Sequence, residues 1–230
     1  MKKMTHKELV NYIAYSRLDE SREWIKKNFS ENDKKFVNII INEVNALGYD
    51  VEDFALLNIL NIKDKRLLAP IETYVYRFDN LGISDRLLGM IDIKGFKEAA
   101  RLNIEFYEFL KDKEKNGPLI NGVDNHLWRI KDKSQMETYK KWYYNFEDHN
   151  NLPLTMDMYV RWNKRDPEIR EKLIEYLQSG DRAKKNAALN DLPLFGDKTM
   201  VEYVKPLLEN ASQGEAKFYN EIIEKLNKLK

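Results

Sequence analysis

The stretch DPEIREKLIEYLQSGDRAKKNAALNDLPLFG, residues 166–196, decides the fold class of this chain. It begins with Asp-Pro at 166–167, a typical helix start, because Asp caps the first amides and Pro fits the first helical position. Apolar residues then recur at steps of three and four. Gly180 ends this helix, Asp181 begins a second one, and Gly196 ends that. The stretch therefore predicts a helical hairpin.

Similar helix signals recur along the rest of the chain. THKE at residues 5–8 and SEND at residues 30–33 have the pattern of a capping box, and an apolar stripe follows each of them. The second stripe ends at Gly48, a typical stop residue. Further helix starts are predicted at Asp50, Asp64 and Ser84, and further helices over residues 94–111, 134–146, 198–210 and 214–229. No segment alternates between apolar and polar residues as a strand does, so the sequence predicts an all-α fold.

The composition indicates a folded protein with balanced charge. Of 230 residues, 39 are Lys or Arg and 38 are Asp or Glu, so the formal net charge is +1. This balance argues against sequence-independent binding of nucleic acid over the whole surface. Uninterrupted apolar runs do not exceed four residues, so no membrane span is predicted. The absence of cysteine excludes disulfides and thiol chemistry.

Residues 112–133 interrupt the helical pattern. KEKNGP at 113–118 is the strongest loop signal of the chain, and Asn-Gly at 121–122 follows closely. The predicted organisation is N-terminal helical hairpins over 1–112, a loop-rich connection over 113–133 and C-terminal helical hairpins over 134–230. The connection is either a linker between two domains or a long loop within one continuous domain.

Three pieces of the C-terminal part form a recognisable pattern: AALNDL at 187–192, FGD at 195–197 and YVKPLL at 203–208. An earlier stretch, residues 55–71, repeats it as ALLNIL, an Asp and then API. This pattern resembles a HEAT-type repeat, in which small residues and leucines, a Gly-Asp turn and an interrupting proline follow one another. The resemblance implies roughly 9–12 helices in antiparallel hairpins, stacked into a curved HEAT-like α-solenoid with a concave binding face.

The sequence contains no common catalytic or phosphate-binding motif. Among the three histidines, His126 lies near Asp124 and His149 near Asp148, so each could form a carboxylate–imidazole pair. The alternative interpretation is that both histidines are solvated loop residues. No spacing of acidic residues and histidines indicates a metal site, and we expect no cofactor and no catalytic residue.

Aromatic and basic residues are concentrated between positions 126 and 162, which hold three of the four tryptophans. In WYY at 142–144, three adjacent helical positions point in three directions, so the rings cannot all face one core stripe. Large rings of this kind form either a local core or, beside Arg and Lys, anchors for a partner. The candidate binding residues are Trp128, Lys140, Lys141, Trp142, Tyr143, Tyr144, Arg161, Trp162 and Arg165.

These observations favour a non-enzymatic scaffold that binds a partner protein on a concave, mixed-charge surface, as an adaptor or a toxin-neutralising protein does. The first residues are basic and are not followed by an apolar signal core, which favours a cytoplasmic location.

The alternative is a HEAT-like DNA-binding protein or an alkylpurine DNA glycosylase. Resemblance to such glycosylases implies tryptophans and an aspartate around the damaged nucleotide and arginines on the phosphates. Residues of these types are Trp128, Trp142, Trp162, Asp148, Asp157 and Arg161. A binder of single-stranded nucleic acid or RNA would use the same aromatic residues.

Overall fold

Helices account for all the regular structure in the part of the chain that the structure describes. The computed structural model describes residues 18–57, 62–113 and 117–229, which contain fourteen α-helices, four short 3-10 helices and no strand. The predicted all-α fold is therefore confirmed. Backbone contacts divide the chain into two compact units, one ending at Ser134 and the other starting at Gln135.

The described residues of the first unit form seven α-helices. They are α1 (Leu18–Asn28), α2 (Glu31–Ala46), α3 (Phe54–Leu57), α4 (Leu68–Tyr74), α5 (Leu81–Gly89), α6 (Lys97–Leu110) and α7 (Pro118–Ile130). The predicted start of α2 is confirmed, because Ser30 and Asp33 form a reciprocal capping box. Its predicted stop is confirmed as well, since Gly48 adopts a positive φ of 96° after the last turn. The predicted helix start at residues 5–8 lies outside the described residues.

Helices α6 and α7 form an antiparallel pair. The amide of Gly95, before α6, donates to the carbonyl of Ile130, at the end of α7, over 2.7 Å. Both helices carry fully buried apolar side chains, among them Phe106 and Leu110 of α6 and Leu127 of α7. Each such side chain contributes about 2 kcal/mol through removal of apolar surface from water.

The stretch predicted as a loop-rich connection contains helix α7, so this prediction is wrong for residues 118–130. Pro118 does not break a helix but occupies the first position of one, where its missing N–H costs nothing. Gly122 lies inside α7 at a point where the helix closely approaches α5, and a glycine fits there because it has no side chain. A Cβ atom at Gly122 would lie 2.0 Å from Oδ1 of Asp85.

The predicted helix start at Ser84 is also wrong. Helix α5 begins three residues earlier, where the Asn80 side chain accepts a hydrogen bond from the amide of Gly82. Ser84 is buried within the helix, and its hydroxyl donates to the carbonyl of Val75 over 2.5 Å. The hydroxyl therefore joins α5 to the end of α4 instead of capping a helix.

The second unit contains seven α-helices as well. They are α8 (Met136–Tyr144), α9 (Phe146–Asn151), α10 (Pro153–Trp162), α11 (Pro167–Gln178), α12 (Arg182–Phe195), α13 (Val201–Val204) and α14 (Gln213–Asn227). Short 3-10 helices flank α13.

The hairpin predicted over residues 166–196 is confirmed as α11 and α12. Asp166 and Asp181 cap the two helices through their side chains, and Gly196 ends α12 with a φ of 81°. Arg170, in the first turn of α11, lies 3.4 Å from Asp197, just after α12, so the two helices run antiparallel. The stacking of such hairpins into a curved HEAT-like solenoid stays a prediction.

Candidate binding groove

Two of the nine candidate binding residues lie in the interior of the second unit. Trp142 and Tyr143, on α8, expose none of their surface. The Trp142 ring lies 6.0 Å from that of Tyr139, and the Tyr143 ring lies 5.3 Å from that of Tyr159. The packing interpretation therefore applies to these two rings, and burial removes them from any binding surface.

The other candidate residues of the second unit are half-buried or exposed: Lys140, Lys141, Tyr144, Arg161, Trp162 and Arg165. Lys140 forms an ion pair with Glu168 over 2.6 Å. Arg165 donates to the backbone carbonyl of Gly196 over 3.4 Å. These two contacts stay within the second unit, and a binding role for the six residues stays a prediction.

Trp128 belongs to the first unit and is open to solvent. It lies near the end of α7 and exposes 41% of its surface. The ammonium group of Lys131 lies 4.4 Å from the centre of its ring, a cation–π contact. Trp128 therefore lies at the surface, and its role in binding a partner stays a prediction.

His149 and Asp191 form a buried pair in the second unit. Nε2 of His149 lies 3.3 Å from Oδ2 of Asp191, and the two side chains are only 4% and 3% exposed. The rings of Tyr143 and Tyr176 lie 4.8 Å and 5.9 Å from the imidazole. Within the described residues, Nδ1 of His149 and Oδ2 of Asp191 are buried without a hydrogen-bond partner. Such atoms are costly, about 1–3 kcal/mol each, and mark positions that an additional polar group could occupy.

The surroundings of this pair keep the neighbouring phenols neutral. Burial, and next the charge of Asp191, raise the pKa of Tyr143 well above its usual value of 10. Burial also raises the pKa of Tyr176 to about 12, with smaller contributions from Glu175 and Asp191. Both phenols are therefore uncharged near neutral pH, so neither can act as a general base there.

A cavity of about 480 Å³ lies beside the pair, between α12 and the helices α9 and α10. Its polar lining consists of His149, Asn150, Asp157, Asn186, Asn190 and Asp191. The lining thus includes two carboxylates and three primary amides, whereas none of its described residues is a lysine or arginine. Its size is within the range of sites that bind small groups.

A second cavity, of about 400 Å³, lies between α12 and the start of α14. Asn186 and Asn190 line both cavities, so the two adjoin at the exposed face of α12. The far wall carries Arg182, which lies 3.3 Å from Glu215. We call this surface the α12 groove, with its floor formed by Ala183, Asn186, Ala187 and Asn190.

The second carboxylate–imidazole arrangement lies in the first unit. Nδ1 of His126 lies 3.0 Å from Asp92, and Nε2 lies 3.2 Å from Asp85. Burial by itself would lower the pKa of His126, but hydrogen bonds to the two carboxylates, together with their charges, raise it to about 9. Arg129 lies 2.9 Å from the same Asp92. Both ring nitrogens of His126 are occupied, so this imidazole joins elements of the fold and is not poised to react.

The histidines therefore have partners other than those nearest in sequence. His126 pairs with Asp85 and Asp92 instead of Asp124, and His149 pairs with Asp191 instead of Asp148. Both histidines are buried on helices, so the interpretation as solvated loop residues is wrong.

The asparagines of the α12 groove were not singled out from the sequence. Ala183, Asn186, Ala187 and Asn190 follow the steps of three and four that define one helix face, so the signal was present. A polar face of small residues is ordinarily solvated, and only the neighbouring α10 and α14 make it the floor of a groove.

Comparisons with known proteins identify no relative of this chain. No protein-family model matches the sequence, and no match is found among the curated proteins or the solved structures.

No three acidic or histidine side chains lie together in a way that could hold a metal ion, within the ranges described. None of the helices described is both long and apolar enough to cross a bilayer.

Proposed function

We propose that this protein binds a partner protein in the cytoplasm and that the α12 groove is its binding surface. The observation that carries the proposal is that two cavities, of about 480 and 400 Å³, share the lining residues Asn186 and Asn190 on one exposed helix face. A groove of this extent accommodates a segment of polypeptide and not only a single small group.

The floor of the groove suits a polypeptide backbone. A primary amide offers both a donor and an acceptor, so Asn186 and Asn190 can bind the N–H and C=O groups of an extended segment. They are separated by one helical turn, with Ala183 and Ala187 on the same face. Because alanine side chains are short, they allow a backbone to approach the helix closely.

The charge of the groove also supports a protein partner. Its walls carry Asp157, Asp191 and Glu215 together with Arg182. This mixed and mainly acidic character would repel a phosphate backbone, which proteins usually bind with several lysines and arginines.

The proposal is tested with a substitution that fills the groove. In Asn190→Arg a long charged side chain replaces an exposed asparagine that lines both cavities. We expect this variant to lose at least about tenfold in affinity for a partner captured by the wild-type chain and then purified, measured by calorimetry.

Asn220→Arg is the matched control, because Asn220 is an exposed asparagine of α14 that lines neither cavity. We expect this control to bind as the wild type does. Equal binding by wild type and Asn190→Arg would contradict the assignment of the groove.

The alternative of a DNA-binding protein or alkylpurine glycosylase has less support. Trp142 is fully buried and cannot stack on a base, although Trp128 remains exposed. Titration of the purified wild-type chain with duplex DNA distinguishes the two functions. Tight binding of duplex DNA at low salt, weakening steeply as salt rises, would favour the alternative over a protein partner.

A further inference from the structure

We infer that the part of the α12 groove beside His149 and Asp191 receives a basic side chain, arginine or lysine, of the bound polypeptide. This inference rests on the proposed function and names the chemistry of the partner. It concerns the cavity of about 480 Å³ between α12 and the helices α9 and α10.

The charge of the cavity favours a cation. Asp157 and Asp191 both contribute to its lining, and none of its described residues is a lysine or arginine. His149 is the one lining side chain of the described set that can carry a positive charge, and Nε2 already faces Asp191 at 3.3 Å. A cation entering the cavity therefore meets complementary charge, whereas an anion meets two carboxylates.

A second observation points to a ligand in the same place. Asp191 is 2% exposed and lines the cavity; its Oδ2 lies 3.3 Å from Nε2 of His149 but accepts no hydrogen bond within the described residues, and Nδ1 of His149 is unpartnered there as well. Buried carboxylates are normally paired through several hydrogen bonds, so this one has unused capacity. A guanidinium or ammonium group supplies the donors that the carboxylate lacks.

The remaining lining explains why the ligand would be a side chain of a longer segment. Asn186 and Asn190 continue from this cavity into the second one, so a backbone lying over them projects alternate side chains to either side. Leu154 and Leu194 contribute apolar surface to the lining. Aliphatic parts of a long basic side chain pack against such surface while the charged end reaches the carboxylates.

The experiment uses the whole 27.4 kDa chain, labelled with nitrogen-15, and short blocked peptides of Ser and Ala with one central residue. The central residue is arginine, lysine, citrulline or glutamate, and citrulline is the neutral equivalent of arginine. We expect the arginine and lysine peptides to shift amide resonances of α9, α10 and α12 with a Kd of about 1 mM. The citrulline and glutamate peptides should bind at least about fivefold more weakly.

Two variants remove charge from the cavity with little change of shape. Asp191→Asn should lower the affinity for the arginine peptide about tenfold. If that variant does not fold, Asp157→Asn tests the same expectation. Glu202→Gln, at an exposed position of α13 that lines neither cavity, is the matched control and should leave binding unchanged.

The outcomes separate this inference from the proposed function. Equal affinities for arginine and citrulline, or no shifts with the arginine peptide at about 10 mM, overturn the basic-side-chain inference. The proposed function fails separately, if a purified partner binds Asn190→Arg as well as it binds the wild type. Loss of arginine-peptide binding in a folded Asp157→Asn or Asp191→Asn variant, but not in Glu202→Gln, supports the inference.

Discussion

The histidines show how single residues acquire their roles from packing. His126 and His149 are both buried beside carboxylates, yet their environments differ. His126 contacts Asp85 through one ring nitrogen and Asp92 through the other. His149 contacts Asp191 through Nε2, while its Nδ1 is buried without a partner in the described part of the chain. The first histidine is therefore a structural link, and the second belongs to a candidate binding site.

The link made by His126 predicts a loss of stability at alkaline pH. Its pKa is raised from 6.5 to about 9 in the folded state, so the charged form contributes stability that is fully present below pH 6.5. This contribution is lost as the pH rises through about 9. We expect the free energy of unfolding to fall by about 3 kcal/mol over this interval, measured by urea denaturation.

His126→Gln is the control for this prediction, because glutamine can keep a hydrogen bond but does not titrate. The variant should be less stable than wild type at neutral pH and approach it above pH 9. An identical pH dependence of the two proteins would show that another group is responsible.

At the scale of single elements, α12 has two faces with different tasks. Leu189 and Leu192 are fully buried, and the opposite face carries the asparagines and alanines that form the groove floor. Asp191 lies on the side between them, where it is buried and still lines the cavity. Because an α-helix has 3.6 residues per turn, different sides of α12 contribute to the core, to the floor of the groove and to the buried carboxylate.

The contact between α5 and α7 predicts an unusual response to a glycine substitution. Glycine to alanine within a helix ordinarily stabilises by about 1 kcal/mol. At Gly122 the added Cβ would lie 2.0 Å from Oδ1 of Asp85, which binds His126. We expect Gly122→Ala to destabilise the protein by about 1–2 kcal/mol in urea denaturation, because Asp85 must leave His126.

Gly214→Ala is the matched control for this helix contact. Gly214 lies in the first turn of α14, and an added Cβ meets no atom within 4 Å. This substitution should be neutral or slightly stabilising. Equal effects of the two substitutions would mean that α5 and α7 do not approach as described.

At the scale of the whole molecule, the division into two units predicts that the second one folds alone. The described part of this unit has a buried core that includes Trp142, Leu173 and Leu189. A fragment beginning at Gln135 should therefore give a helical circular dichroism spectrum and a cooperative urea transition.

The fragment also tests where the binding surface lies. Both cavities of the α12 groove are lined by residues of the second unit, so the fragment should bind a purified partner as the full chain does. A fragment that folds cooperatively but has lost the binding activity would place essential contacts in the first unit. A fragment without a cooperative transition would contradict the independence of the unit.

The all-α class, the start and stop of α2 and the hairpin of α11 and α12 could be predicted from the amino-acid sequence. Signals such as Ser30, Asp166, Asp181 and Gly196 act through hydrogen bonds to backbone groups a few residues away, so a local pattern is sufficient to identify them. The loop predicted at residues 118–130 is wrong, because Gly122 makes room for Asp85 of α5 and does not form a turn.

The contacts between side chains of different helices could not be predicted in this way. The tertiary structure paired His149 with Asp191 instead of the adjacent Asp148, buried Trp142, and made a groove of the face that carries Asn186 and Asn190. The physical reason is that a helix fixes neighbours three and four residues apart, whereas contacts between helices depend on how whole apolar faces pack together.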